Sequence, residues 1–218
     1  MEKTNVLKIS LLFVLFLISV HLFSQRPDMR YRRVADELVK MERYEADTTA
    51  NAVILGDYGV KEIRYNKNSG FQLYFTRHLR IKIFNRDAFD LANFEIPLYR
   101  SGSSPSAERL SSLKAVVFTP ENGKINRTRY RKREAFTEEV NDYMHKVIFT
   151  LPNIREGSVI DVEYTVISPF LQVLNNWHFQ SMYPTVFSEL RIIVPEYFTY
   201  KPIMQGFVPV AIRERDSQ

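Results

Sequence analysis

Arg127, Arg129, Arg131 and Arg133 alternate along the chain. In an extended strand alternate residues share a face, so four guanidiniums would stand in a row on one side. Their planar forks suit bidentate capture of sulfate, phosphate or carboxylate groups, and an anionic envelope polymer is the matching ligand. The competing reading is a charged edge strand that discourages sheet-to-sheet aggregation, with Glu134, Glu138, Glu139 and Asp142 close by to neutralise it. Trp177 and Phe179, followed by Tyr183, form an aromatic stripe at strand spacing. Exposed, such a stripe stacks on sugar rings; buried, it is core.

Other chemistry is thinner. Asp161 and Glu163 sit two apart in a strand-like run, so their carboxylates share a face and could act as an acid–base pair on a glycoside. The alternation around them favours an ordinary wet sheet face instead. His78, His145 and His178 lie far apart without metal-ligand spacing, which predicts no metal site. The serine-rich loop 101–106 lacks the Gly-x-Ser-x-Gly elbow and reads as a mobile connection. There is no cysteine, which excludes a thiolate nucleophile, a thiolate metal site and any disulfide framework. We therefore expect no catalytic residue and no cofactor, with Arg127, Arg129, Arg131, Arg133, Trp177 and Phe179 as the polymer-binding candidates.

The elements that must carry these residues follow from hydrophobic period. Residues 1–24 read as a secretory signal: Lys3 and Lys8 lead, an apolar run spans Ile9 to Phe23, and Ser24 places a small residue at the cleavage point. The expected product is exported, periplasmic or extracellular, and soluble after cleavage. Residues 25–48 form a basic lead-in and one helix, expected over Val34 to Glu45 from Val34, Leu38 and Met41 at helical spacing. Residues 49–218 are expected to form a β-sandwich whose last apparent strand is Phe207 to Ile212.

Within that domain the signals are mostly strands. Ala52 to Asp57 and Val60 to Tyr65 read as a pair around Tyr58-Gly59. Phe71 to Phe84 alternates most cleanly: Phe71, Leu73, Phe75, Leu79, Ile81 and Ile83 share one face, interrupted by Arg77, where a bend or bulge is expected. Asp87 to Leu91 reads as a single helical turn before Asn93 to Leu98. Leu113 to Thr119 and Lys124 to Arg131 flank Pro120-Glu-Asn-Gly123, a hairpin signal. Tyr143 to Leu151, Ser158 to Ser168, Trp177 to Tyr183, Val186 to Val194 and Phe198 to Met204 complete the set. Short strands at regular intervals predict an all-β fold, an antiparallel β-sandwich with one short N-terminal helix. Thirteen per cent aromatic residues supply large apolar side chains for its core. The net charge of +5 is a mild excess, compatible with envelope polymers and no signature of nucleic-acid binding.

Several pieces resemble a known family. They are Asp47-Thr-Thr-Ala-Asn-Ala-Val-Ile-Leu55, Leu79-Arg-Ile-Lys-Ile-Phe-Asn85, Thr119-Pro-Glu-Asn-Gly-Lys124, the block Phe149–Phe170, and Trp177-His-Phe-Gln-Ser-Met-Tyr-Pro184 running into Ser188 to Tyr197. In this order they resemble the sandwich domain of unknown function that precedes a transglutaminase-like domain in large exported bacterial proteins. That downstream domain looks like a papain-type fold with Cys, His and Asp. This chain has no cysteine onto which the nucleophile could be carried. The resemblance implies a non-catalytic envelope module, a scaffold or interaction partner for a transglutaminase- or peptidase-like domain. The alternatives are a stand-alone binder of anionic or glycan polymers and, third, a hydrolase in its own right.

Overall fold

Two antiparallel sheets stack with their apolar faces together. The computed structural model describes residues 27–102, 106–172 and 174–206. The expected signal (1–24) and the expected strand Phe207 to Ile212 lie outside the described residues. In chain order the elements are helix α1 (Asp36–Lys40), strands β1 (Ala52–Asn66) and β2 (Gly70–Ile83), a 3-10 segment (Arg86–Ala92), and strands β3 (Asn93–Tyr99), β4 (Arg109–Glu121) and β5 (Lys124–Arg131). A second 3-10 turn (Lys132–Glu134) precedes β6 (Phe136–Asn141), β7 (Met144–Thr150), β8 (Val159–Ser168) and β9 (Ser188–Ile193). The larger sheet runs β5-β4-β8-β2-β1-β9 and the smaller β3-β7-β6. Among the described strands β9 departs from the antiparallel rule, pairing parallel to β1.

Turn chemistry sets the hairpins. Between Glu121 and Lys124, Asn122 (φ 51°) and Gly123 (φ 74°) both take the left-handed conformation, the two-residue turn that matches strand twist. Residues at the ends of that turn pair in register, Glu121 with Lys124. The expected helical turn is present as the 3-10 segment, whose N-cap Asn85 accepts the backbone N–H of Asp87 on its side-chain oxygen at 3.1 Å.

The main core lies between the sheets. Leu79, Ile81 and Ile83 of β2, Ala115 and Val117 of β4, and Ile160, Val162 and Val166 of β8 pack against Ile96 and Leu98 of β3 and Val147 and Phe149 of β7. Phe149, fully buried, stacks on Phe94 at 4.9 Å and on Tyr130 at 5.4 Å. Each such side chain contributes about 1.5–3 kcal/mol by leaving water. The opposite face of the larger sheet has its own, smaller core. There Val34 and Val39 of the N-terminal segment bury Val53, Leu55, Val116, Phe118 and Val159.

Four expectations change. The Tyr58-Gly59 turn is absent: β1 runs unbroken, and Gly59 pairs with Arg77 in register. The bulge lies in β1 between Ile54 and Gly56, and the β1–β2 register through Arg77 is continuous. The helix shrinks to five residues, because Met41 at its C-cap leaves helical geometry (φ −59°, ψ 122°). Trp177 to Tyr183 and Phe198 to Met204 are irregular rather than strands, while the fully exposed β6, with few apolar residues to mark it, joins the small sheet as an edge.

Candidate functional site

The second face of the larger sheet carries more charge than its burial would suggest. β2 turns His78, Arg80 and Lys82 to that face, and β8 turns Asp161 and Glu163 to it; Arg80 and Asp161 are direct cross-strand partners. Asp161 is 0% exposed, Arg80 2% and Lys82 0%. The pair Asp161 and Glu163 is therefore no solvated acid–base site, and the wet-face reading fails at Asp161. The reason is a covering strap, residues 28–41, absent from any pattern in β8 itself.

Each polar atom in this cluster is answered. Asp161 Oδ1 accepts from His78 Nε2 at 2.6 Å and from Arg80 Nε at 3.2 Å. Its Oδ2 accepts the backbone N–H of Arg32 at 2.6 Å. Arg80 spends its other nitrogens on the carbonyls of Asp28 (2.7 Å) and Arg30 (3.1 Å). Lys82 Nζ donates to the carbonyls of Val39 and Gly157, both at 2.6 Å. Burial without an anion lowers the Lys82 ammonium from 10.5 to about 8. Tyr31 of the strap meets the His78 ring edge-on at 6.2 Å and lies 5.4 Å from Lys114 Nζ. Burial first, then the Asp161 charge, pushes the Tyr31 phenol up to about 12.

A second polar cluster lies on the inner face, at the end of the core. Asp57, 4% exposed, accepts both forks of Arg77, at 2.8 and 2.7 Å. Burial opposes the charge on Arg77, but the hydrogen bonds and field of Asp57 outweigh it and hold its pKa above the usual guanidinium value. Trp177 closes this end. Its ring lies 5.3 Å from the Arg77 guanidinium and edge-on to Phe75 at 6.3 Å, and its Nε1 donates to Ser188 Oγ at 3.1 Å. Lys61, 2% exposed, donates to the carbonyl of Asn175, and burial lowers its ammonium to about 8. The aromatic stripe is thus no strand: Trp177 is half-buried with its ring engaged, and Phe179 packs edge-on to it at 6.5 Å.

The arginine row is where the alternation put it. Arg127, Arg129 and Arg131 project from β5, the edge strand, opposite Phe118, Val116 and Lys114 of β4. All three are exposed, and Arg133 is exposed on the 3-10 turn beyond the strand end. Arg127 lies 5.5 Å from the Phe118 ring. Two of the four acidic residues expected to neutralise the row pair elsewhere: Glu139 with Arg100 and Glu138 with Lys146. Among the described residues no ion pair involves the four arginines. Nor do the described histidines meet acids in a metal-ligating group of three. A groove of about 730 Å³ is lined by Leu38, Met41, Leu55 and Val186 with Glu42, Arg43 and Glu45.

Sequence reasoning missed the Asp161 cluster, the Asp57–Arg77 pair and the two buried lysines. A usable signal existed: Arg77 interrupts the apolar face of β2, and an isolated charge on a core face calls for an opposite charge opposite it or beside it.

Comparison with known proteins bears on identity at this point. No curated protein matches the chain. A solved structure of a provisionally assigned protease from Parabacteroides distasonis is similar at TM-score 0.47 and 11% identity, over 67% of this chain and 29% of that one. The chain thus spans under a third of that protein's length. Residues 71–218, more than half of the sequence and everything from β2 onward, match the family described as a domain of unknown function with a solved structure, DUF3857, and the chain belongs to that family.

Proposed function

We propose that this chain is a non-catalytic module of the bacterial cell envelope, acting as a scaffold or interaction domain for a transglutaminase- or peptidase-like protein. One observation carries the reading. The acid, imidazole and guanidinium that come together in this fold, Asp161, His78 and Arg80, are sealed beneath the strap and spend their hydrogen bonds on one another and on its backbone. A general acid or base must reach a substrate proton directly or through one water. Asp161, with no surface of its own, is placed to hold the chain's backbone instead. The resemblance to domains that precede a transglutaminase-like domain supplies the context, and the signal-like residues 1–24 supply the compartment.

The test is an amide-hydrolysis and amine-incorporation assay of the purified chain on casein with a labelled amine. Turnover is expected to stay at background. Activity that disappears in Asp161→Asn or His78→Ala, with β-structure retained by circular dichroism, would defeat the proposal.

A second reading rests on the arginine edge. Three exposed guanidiniums on one strand face, without carboxylate partners among the described residues, suit an anionic envelope polymer. It is compatible with the first, because Arg127, Arg129 and Arg131 are exposed on β5 while Asp161 and Arg80 lie buried beneath the strap.

A further inference from the structure

The strap is held in an unusual manner for an N-terminal segment. Four of its backbone atoms, the carbonyls of Asp28, Arg30 and Val39 and the amide of Arg32, are bonded by three charged side chains of the sheet, Arg80, Asp161 and Lys82, each at least 98% buried. Bonds to main chain grip any extended segment, whatever its sequence; selectivity then comes from pockets. Two pockets exist. Gly56 at the β1 bulge leaves room for Met29: a Cβ there would lie 2.4 Å from its sulfur. Tyr31 sits between His78 and Lys114. The intervening side chains of Arg30, Arg32 and Arg33 stay exposed. Arg32 holds a left-handed backbone (φ 65°), a conformation that β-carbon sterics disfavour and that aims its N–H at Asp161.

The floor of this cleft is mixed. Beneath residues 28–32 lie His78, Arg80, Asp161, Lys114 and Glu163, which water would solvate if the strap left. Beneath Val34 and Val39 it is apolar, formed by Val53, Leu55, Val116, Phe118 and Val159, so an uncovered face favours capture of a strap, its own or another copy's.

We propose that this face is a peptide-binding site, occupied in cis by residues 28–39, which accepts the same segment in trans from a second copy of the chain. Its ligand is a peptide held by its main-chain groups, with a flexible apolar residue two positions before an aromatic one, as in Met29 and Tyr31. The site exchanges straps between copies, and the turn at residues 46–50 is the hinge. The inference stands apart from the function proposed above.

The experiment uses the full chain with a protease recognition sequence inserted in the turn Ala46–Ala50 and cut after folding. A fluorescent peptide of residues 27–45 is then titrated and followed by anisotropy. Saturable uptake is expected, weakened at least about tenfold when the peptide carries Met29→Gly or Tyr31→Ala, or when the protein carries Arg80→Ala. Lys146→Ala, on β7 of the smaller sheet, should leave uptake unchanged. Three results would overturn the proposal: no uptake by a nicked protein that keeps its β circular dichroism, uptake indifferent to all three substitutions, or unfolding on nicking, since a binding site must persist when its ligand is untethered.

Discussion

Arg80 and Asp161 stand opposite each other in the register of β2 and β8, almost wholly withdrawn from water, with Arg80 Nε 3.2 Å from Asp161 Oδ1. Desolvating two such ions costs about as much as their attraction returns, so the pair adds little net stability. What it does is fix where the strap lies, because both ions complete their coordination with strap backbone.

Breaking the pair is a different matter from never having built it. Asp161→Asn leaves Arg80 charged and buried without its anion, so we expect a loss of about 3–5 kcal/mol in urea unfolding. The exposed neighbour is the control. Glu163 of β8 and Lys114 of β4 pair at 2.8 Å on the same face but in contact with water, so Glu163→Gln should cost under about 1 kcal/mol. Equal losses in the two variants would show that the buried ions have no special role.

The two buried lysines and the buried tyrosines give stability opposite slopes with pH. Lys61 and Lys82 titrate near 8 in the folded chain against 10.5 when free, so between those values the unfolded chain binds more protons and stability rises with pH. Tyr31 is pushed up to about 12 from 10.0, and burial raises Tyr164 as well, so above pH 10 the folded chain binds more protons and stability falls. The urea midpoint should therefore climb from pH 8 to about 10 and then drop. Lys82→Met should flatten part of the climb. A midpoint that falls steadily from pH 8 would contradict the assignment of both lysines.

Alternation located the sandwich because the inner faces obey it. Leu79, Ile81 and Ile83 were legible, as were the Asn122-Gly123 hairpin and the helical turn before β3. Alternation says only that two faces differ, however, and the polar one need not be wet. Asp161 read as part of a wet face because the strap that covers it and its neighbours Arg80 and Lys82 lies some 40 or more residues away in sequence, and its grip is on backbone atoms. Gly59 looked like a turn residue for a related reason. Its missing side chain serves a contact with Trp177, over a hundred residues downstream, and no local pattern records that.

Gly59 therefore carries a sharp expectation. A Cβ at this position would lie 2.5 Å from Trp177 Cζ3 and 3.0 Å from Leu190 Cδ1. Gly59→Ala must lift the indole off the sheet, and overpacking of this kind costs about 1–3 kcal/mol. Since Trp177 is the one tryptophan in the sequence, intrinsic fluorescence reports the displacement directly. The emission should shift to the red as the ring leaves Phe75 and Arg77. An unshifted spectrum with unchanged stability would mean that Trp177 does not lie on Gly59.

The arginine edge can be separated from the fold by salt. Arg127, Arg129 and Arg131 are exposed on a terminal strand and form no ion pairs among the described residues, so replacing all three with alanine should leave the urea midpoint in place. Retention on immobilised dextran sulfate should weaken instead. Each cation that neutralises a polymer charge releases counterions, so the slope of log affinity against log salt should fall by about one unit per arginine removed. Edge protection alone predicts another pattern: unchanged retention, with self-association appearing in the triple variant as the bare edge pairs with another. The two outcomes are read from one column and one sedimentation run, and the absence of any retention by the unaltered chain would remove the polymer reading outright.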